Sequence, residues 1–322
     1  MQEKIRHIDK GFWICTLYPF KCTAEGSDLI DLGGGVAIWR IPTSLRDLVD
    51  GHIPELDRHQ NNVEWVIQIP PNPKGRESPQ NGRLTPIQLI SHGIRLHDDI
   101  RETMIDVVTA LRLQQAGSFA PGQLVYVLSS GQEFSLGHAT IWTRLSETGS
   151  YFALAKVRYE LLQTEVETLR EFWQEFQDKR QKGKLSDLEI ALGRFNSSYS
   201  GGLEDRLIDQ MIALESLYLG DLQELRYKLS LRAAFFLAKG GKGRTQVLKH
   251  LKKAYDARSK VVHGQEPPDN LMEIVEYTEE YLRQSIRKFL KLSDKYSSKQ
   301  LREHLFDENI IQAGKLLKTS LR

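Results

Sequence analysis

The segment from residue 244 to residue 264, RTQVLKHLKKAYDARSKVVHG, holds an arginine and a histidine whose types and spacing suit acid–base or charge-stabilising chemistry. Its apolar residues recur at helical spacing, and Arg258 falls in their stripe, four positions after Ala254. His263 directly precedes Gly264, so we expect it at the helix C-terminus, where the helix dipole favours the imidazolium form. Histidine is also the side chain most readily tuned for proton transfer near pH 7. The alternative for His263 is a simple C-terminal cap.

An arginine on an apolar face must find an acidic side chain, a phosphate or a subunit interface. Two further charged residues break apolar stripes upstream: Glu215 in RLIDQMIALESLYLG and Arg232 in ELRYKLSLRAAFF. A glutamate and two arginines on inward faces predict an internal ion network, and we expect Glu215 to pair with Arg232 or Arg258. Such a pair would give Arg258 a purely structural role.

Three strings place this helix in a known context. AYDARSKVVHG resembles the signature of the Apea-like HEPN family, in which an Arg-Ser pair and a His-Gly pair end a helix. RLIDQMIALESLYL and ELRYKLSLRAAFFLA resemble the two helices that precede this signature. The resemblance covers roughly residues 185–295 and does not reach residues 1–150.

The resemblance implies a metal-independent endoribonuclease that needs no cofactor, binds RNA and works as a homodimer. The RNA 2′-hydroxyl would be the nucleophile and a 2′,3′-cyclic phosphate the product. His263 would deprotonate the 2′-hydroxyl or protonate the leaving 5′-oxygen, and Arg258 would stabilise the phosphorane. Glu215 and Arg232 would support the site. The residues assigned to RNA contact are Lys252, Lys253, Tyr255, Ser259 and Lys260; for the lysines, with Lys249, the alternative is a solvated helix face.

HEPN nucleases carry Arg and His separated by four to six residues, and this spacing alone is weak evidence. It occurs at Arg46/His52, at Arg244/His250 and at Arg258/His263. We interpret the first as chance and give the second little weight. The third ends a helix and has the family context, so it is the predicted catalytic pair.

Three hypotheses follow. The first is an endoribonuclease, a toxin or antiphage defence effector whose N-terminal domain senses a trigger or restrains the nuclease. The second is a non-catalytic HEPN dimer that binds RNA or a nucleotide or organises an assembly. The third is a structural helical dimer that uses Arg258 and His263 in packing.

The elements that must position these residues indicate an α+β protein with two domains, 1–150 and 151–322. The first is predicted to be mixed α/β, with β-rich runs, a helix from Asp98 to about Gln115 and a polar loop at 70–83. The second is predicted to be an all-α up-and-down bundle. Its expected helices are at about 152–180, 186–195, 203–219, 221–239, 244–263, 268–292 and 298–318.

Composition is that of a globular protein, with 40% hydrophobic and 27% charged residues. The net charge is +2, but residues 1–150 hold 14 Lys and Arg against 17 Asp and Glu, and residues 151–322 hold 30 against 25. A modestly basic C-terminal half suits a polyanion partner. Two cysteines are too few for a disulfide framework. Because the N-terminus has no signal-peptide pattern and no apolar run is long enough for a membrane span, we expect a cytoplasmic protein without membrane contact.

Overall fold

The computed structural model of the chain describes residues 11–18, 20–23, 28–50, 64–74, 86–117, 119–130, 133–141, 159–220 and 224–302. The chain divides into two compact units, Met1–Glu175 and Phe176–Arg322. The first is rich in strands and the second is helical, which confirms the α+β class.

The N-terminal unit is built on a six-stranded sheet with the order β3-β4-β5-β1-β6-β7. Every neighbouring pair in this sheet is antiparallel. A separate pair, β2 and β8, is parallel. The strands are β1 (Phe12–Tyr18), β2 (Phe20–Cys22), β3 (Leu29–Gly33), β4 (Val36–Arg40), β5 (Trp65–Ile69), β6 (Ala120–Ser130), β7 (Glu133–Ile141) and β8 (Tyr159–Leu161).

Successive side chains of a strand point to opposite faces of the sheet, and in this sheet both faces carry apolar side chains. Trp13 and Cys15 of β1 point to one face, where helix α2 (Pro86–Gln114) packs through a stripe that contains Met104 and Leu111. Phe12 and Ile14 point to the other face, near Leu45 of helix α1 (Thr43–Asp50). The helix expected from Asp98 thus begins earlier, at Pro86, and α1 was not expected.

Cys15 and Cys22, both of which the structure describes, are buried and are not joined as a disulfide. Burial raises the pKa of the Cys15 thiol to about 12, so this thiol stays protonated and unreactive near neutral pH.

The region after residue 158 corrects the predicted helix at 152–180. Residues 159–161 form strand β8, and helix α3 (Val166–Gln181) begins only at Val166. Tyr159 is buried in the N-terminal core, and its hydroxyl donates to the Leu111 carbonyl at 3.1 Å. Tertiary packing thus overrides local helical preference here. The two units divide after Glu175, later than the sequence-based boundary at 150/151.

The C-terminal unit follows the remaining helix predictions closely. Its helices are α4 (Glu189–Ser197), α5 (Leu203–Tyr218), α6 (Leu225–Leu237), α7 (Gly241–Val262), α8 (Leu271–Leu292) and the short α9 (Ser298–Gln300). The predicted continuation to residue 318 lies outside the described residues beyond 302.

Helix α7 lies against α5, α6 and α8. It runs antiparallel to α6, since Arg226 at the start of α6 pairs with Asp256 in the second half of α7, while Phe235 near the end of α6 lies beneath Arg244 at the start of α7. Between α5 and α8 the paired residue numbers rise together, so these two helices run in the same general direction and the up-and-down alternation is not strict.

A buried ion network joins α5 to α8. Arg206 of α5 donates to Glu279 Oε2 at 2.7 Å, and Arg283 donates to Glu279 Oε1 at 2.5 Å. The hydroxyl of Tyr199 also donates to Glu279 at 2.8 Å, and Arg283 contacts Glu280 as well. Four residues of this network are buried: Tyr199, Arg206, Glu279 and Arg283. This network was not predicted: Arg283 lies four positions after Glu279 on α8, but no local sequence pattern connects either residue to Arg206 or Tyr199.

We expect Glu279→Ala to destabilise the helical unit strongly. The substitution leaves two buried guanidinium groups without their shared carboxylate, which costs about 3–5 kcal/mol. Thermal melting should fall by about 10 °C or more. Glu276→Ala, which removes an exposed carboxyl from the same helix, is the matched control and should shift melting by only a few degrees. Equal shifts in the two variants would contradict the buried network.

Candidate nucleic-acid interface

His263 is the residue that ends α7. Its backbone N–H donates to Ser259 O at 3.1 Å, and its φ of −89° leaves helical geometry. Gly264 follows at φ +67° and donates to Val261 O, while Gln265 donates to Lys260 O. This is a Schellman motif, in which a left-handed glycine satisfies the last carbonyls. His263 is exposed, and its imidazole has no hydrogen bond or ion pair with the part of the chain that the structure describes.

Arg258 lies on the inward face of α7, as its place in the apolar stripe predicted. Helical residues advance by about 100° each, so Arg258 projects between Leu251 and Ala254, which are both buried. Arg258 itself is half-buried, and its Nε is buried without a hydrogen-bond partner among the residues that the structure describes. An unsatisfied donor of this kind costs about 1–3 kcal/mol. The guanidinium of Arg258 thus lies close to the surface and retains an unsatisfied hydrogen-bond donor.

Glu215 of α5 is the acidic group near Arg258. Burial raises the pKa of the Glu215 carboxyl, and the positive charge of Arg258 partly offsets this. The predicted ion pair is nevertheless wrong: within the described ranges no oxygen of Glu215 lies within 4.0 Å of a basic nitrogen, and its Oε1 is buried without a hydrogen-bond partner. Arg232 is also buried, and its Nη1 donates to the Tyr218 carbonyl at 2.7 Å instead. Helical periodicity identified the inward faces but could not specify which groups meet.

Arg258 and His263 do not converge within one chain. They are five positions apart, which corresponds to about 140° around the helix and about 7.5 Å along it. No hydrogen bond joins them among the described residues. These two side chains therefore do not enclose a phosphate by themselves, and a further group from elsewhere would be needed to do so.

The residues assigned to RNA contact fall on two flanks of α7. Lys253 and Lys260 are exposed on one flank. Lys252 lies on the other, with its ammonium 5.1 Å from the ring of Tyr227, which is 51% exposed. Tyr255 and Ser259, also on this flank, are half-buried. The assigned set is thus not one continuous patch.

His250 has a role that the sequence reasoning gave little weight. Its ring stacks on Tyr277 of α8, with centroids 4.2 Å apart and an interplanar angle of 22°. Its Nδ1 lies 3.0 Å from the hydroxyl of Tyr281, whose ring is 5.9 Å away. Burial and the nearby Lys253 lower the pKa of His250, while Glu273 acts in the opposite direction. The spacing of Tyr277 and Tyr281, four residues apart on one helix, is the only sequence signal of this cluster.

No group of three or more His, Cys, Asp and Glu side chains is arranged to hold a metal ion within the described residues. Likewise, none of the helices that the structure describes is long and apolar enough to cross a membrane.

Comparison of the chain with protein-family models, with curated proteins and with solved structures finds no match in any of the three.

The state of Glu215 gives a pH-dependent prediction. Its pKa is higher in the folded protein than the ordinary 4.5, so the folded state favours the neutral carboxyl. Stability is then fully present below pH 4.5 and decreases as the pH rises through the folded pKa. Glu215→Gln keeps the shape without the charge. We expect it to melt at or above the wild-type temperature at pH 7, with the difference disappearing near pH 4.

Thermal melts of both proteins from pH 4 to pH 8 measure this difference. A variant that melts several degrees below wild type at pH 7 would show that the carboxylate makes a stabilising ion pair after all.

Proposed function

We propose that the C-terminal unit is a metal-independent endoribonuclease of HEPN type that acts as a homodimer. The observation that supports this most directly is the end of α7, where an exposed His263 follows a half-buried arginine. Within the described part of the chain, the imidazole of His263 has no hydrogen bond and Nε of Arg258 has no partner. An imidazole open to a ligand suits proton transfer, and a guanidinium with spare donors suits a phosphate.

The chemistry is an internal transfer at phosphorus. A base removes the proton of the 2′-hydroxyl, the 2′-oxygen forms a bond to the adjacent phosphorus, and the bond from phosphorus to the 5′-oxygen breaks. An acid protonates the leaving 5′-oxygen, so the products are a 2′,3′-cyclic phosphate and a 5′-hydroxyl. Arg258 stabilises the charge on the non-bridging oxygens. One imidazole does not serve both sides of the phosphate, so the second proton transfer belongs to His263 of a second copy.

A dimer through the end of α7 has support from the surface around the site. Val262, which directly precedes His263, is 51% exposed although it is a large apolar residue. An interface here would cover Val262, and it would bring a second Arg258 and a second His263 to the same cleft.

A second candidate function is RNA binding without cleavage. It is favoured by the divergence of Arg258 and His263 around α7, since a catalytic pair must meet at one phosphate. In either case we propose a cytoplasmic protein, a toxin or defence effector in the first case, with the N-terminal unit regulating the helical unit.

His263→Asn should reduce cleavage of single-stranded RNA by about 10²–10⁴-fold, because it removes the acid–base group while keeping a residue that tolerates a helix end. Its RNA affinity should stay near wild type. Arg258→Lys should lose about 10²–10³-fold, since an ammonium lacks the planar fork. Product analysis should find a cyclic phosphate, and EDTA should leave the rate unchanged.

Two controls fit this experiment. Gln265→Ala alters an exposed neighbour of His263, and His52→Ala removes a histidine of another spacing match; both should cleave like wild type. If wild type binds RNA but cleaves none, and His263→Asn binds equally well, the binding function replaces the nuclease. Loss of cleavage on chelation, with recovery on adding magnesium or manganese, would point to a different chemistry.

The dimer has its own test. Val262→Glu places a charge in the proposed interface and should convert the protein from dimer to monomer in light scattering at micromolar concentration, with loss of cleavage. Ile190→Glu is the matched control, because Ile190 is 62% exposed on α4 and should tolerate the same change. A wild type that is strictly monomeric would falsify the composite site.

A further inference from the structure

The seam between α7 and α8 has an aromatic cluster at its surface, formed by His250, Tyr277 and Tyr281. All three are partly exposed. Their ring centroids lie 4.2, 5.9 and 6.1 Å apart. The contact between His250 Nδ1 and the Tyr281 hydroxyl holds the imidazole in one orientation. The rings therefore form a pre-organised surface rather than three independent side chains.

The ring of Tyr277, rather than its hydroxyl, is the group that the cluster offers to a ligand. The hydroxyl oxygen is buried and has no hydrogen-bond partner among the described residues. Burial also raises the pKa of Tyr277, with Glu273 and Tyr281 acting in the same direction, so the ring is neutral. A tyrosine ring stacked on an imidazole presents a flat aromatic surface that suits stacking with a planar base.

Beside this cluster runs a basic ridge, which we define as Lys242, Lys249, Lys253 and Lys260. These residues are spaced by seven, four and seven positions, so they form one stripe along α7 about 27 Å long. All four are exposed. His250 lies at one border of the ridge, and His263 lies at the opposite border near its C-terminal end.

Acidic groups near the ridge reduce its charge only in part. Asp256 is the exposed acid on α7 itself, and Arg226 of α6 pairs with it at 2.5 Å. The charge of Glu273 on α8 raises the pKa of His250, whereas the charge of Lys253 lowers it. The positive charges near the cluster thus come from α7, and the acid that acts on it comes from α8.

We propose that His250, Tyr277 and Tyr281 form a stacking platform for an unpaired base of single-stranded RNA, whose phosphates follow the basic ridge towards His263. This inference rests on the proposed function and adds the class of substrate. Basic side chains that track a backbone, together with aromatic rings that stack on bases, are the physical requirements for binding a single strand.

The platform also defines the length of RNA that engages the site. His250 and His263 are thirteen positions apart, or about 20 Å along α7. Phosphates of a strand within a duplex are about 3.4 Å apart along the helix axis, and those of an extended single strand are farther apart, so at most about six nucleotides separate the stacked base from the phosphate at His263. A base-paired duplex offers no free base face and should bind more weakly than a single strand of the same length.

The test compares variants that differ only in whether a ring is present. His250→Leu and Tyr277→Leu remove a ring, whereas His250→Phe and Tyr277→Phe retain one. The probe is a 12-nucleotide single-stranded RNA with 2′-O-methyl groups, so that binding is measured without cleavage. Inorganic polyphosphate is the base-free polyanion, and thermal melting checks that each variant is folded.

Each leucine variant should bind the RNA about tenfold more weakly, since one base–aromatic stack is worth about 1–3 kcal/mol. Its affinity for polyphosphate should not change, and both phenylalanine variants should bind RNA like wild type. A 2-aminopurine in the RNA should lose fluorescence on binding wild type. This measurement keeps the proposal testable even if a leucine variant does not fold.

The outcomes separate this proposal from the function on which it rests. If wild type binds RNA but the leucine variants bind it equally well, or if 2-aminopurine stays fluorescent in the wild-type complex, the platform is overturned and the RNA function stands. Equal loss of RNA and polyphosphate affinity also overturns the platform, because the effect is then on charge. If wild type binds no RNA, the proposed function fails and the platform with it.

Discussion

A guanidinium group removed from water must recover its hydrogen bonds, and the helical unit meets this requirement in two contrasting ways. Arg206 and Arg283 share one carboxylate, Glu279, and the network is closed by Tyr199. Among the described residues, Arg258 has an electrostatic interaction with Glu215 and an Nε without a hydrogen-bond partner. The first arrangement holds α5 against α8, and the second leaves Arg258 with the unsatisfied donor on which the proposed function depends. The structural arginines and the proposed functional one therefore differ in what each one bonds to.

Helix α7 then determines where every candidate group lies. Its 3.6-residue period places Val247, Leu251 and Ala254 in the core with Arg258 among them. The same period puts the basic ridge on the opposite side and His250 at the border between ridge and core. Because a helix is stiff over this length, the positions of these groups along the helix follow from their numbers in the chain. Their neighbours on α5, α6 and α8 do not follow in this way, and they decide which groups are satisfied.

The sequence predicted features that depend on one helix at a time. The stripe that contains Arg258 and the helix end at His263-Gly264 required only periodicity and a glycine stop signal. The contact between His250 and Tyr277 depends on the register between two helices, and Glu279 joins α5 to α8 across more than seventy residues. The wrong prediction of a helix at 159–161 has the same origin, because these residues form strand β8 by pairing with β2 and packing in the N-terminal core. The supposed Glu215 ion pair failed because sharing an inward face does not bring two side chains within bonding distance.

Charge and stacking contribute differently to how a strand of RNA would be held. Lysines on the ridge act through released counterions, so their contribution falls steeply as salt rises and does not depend on base sequence. A ring stack responds weakly to salt and needs a base that is unpaired. The ridge alone would accept any polyanion, including duplex, and would not fix its position along α7. A base stacked at His250, as proposed, would fix that position. An imidazole at the end of the helix would then face one particular phosphate of the strand.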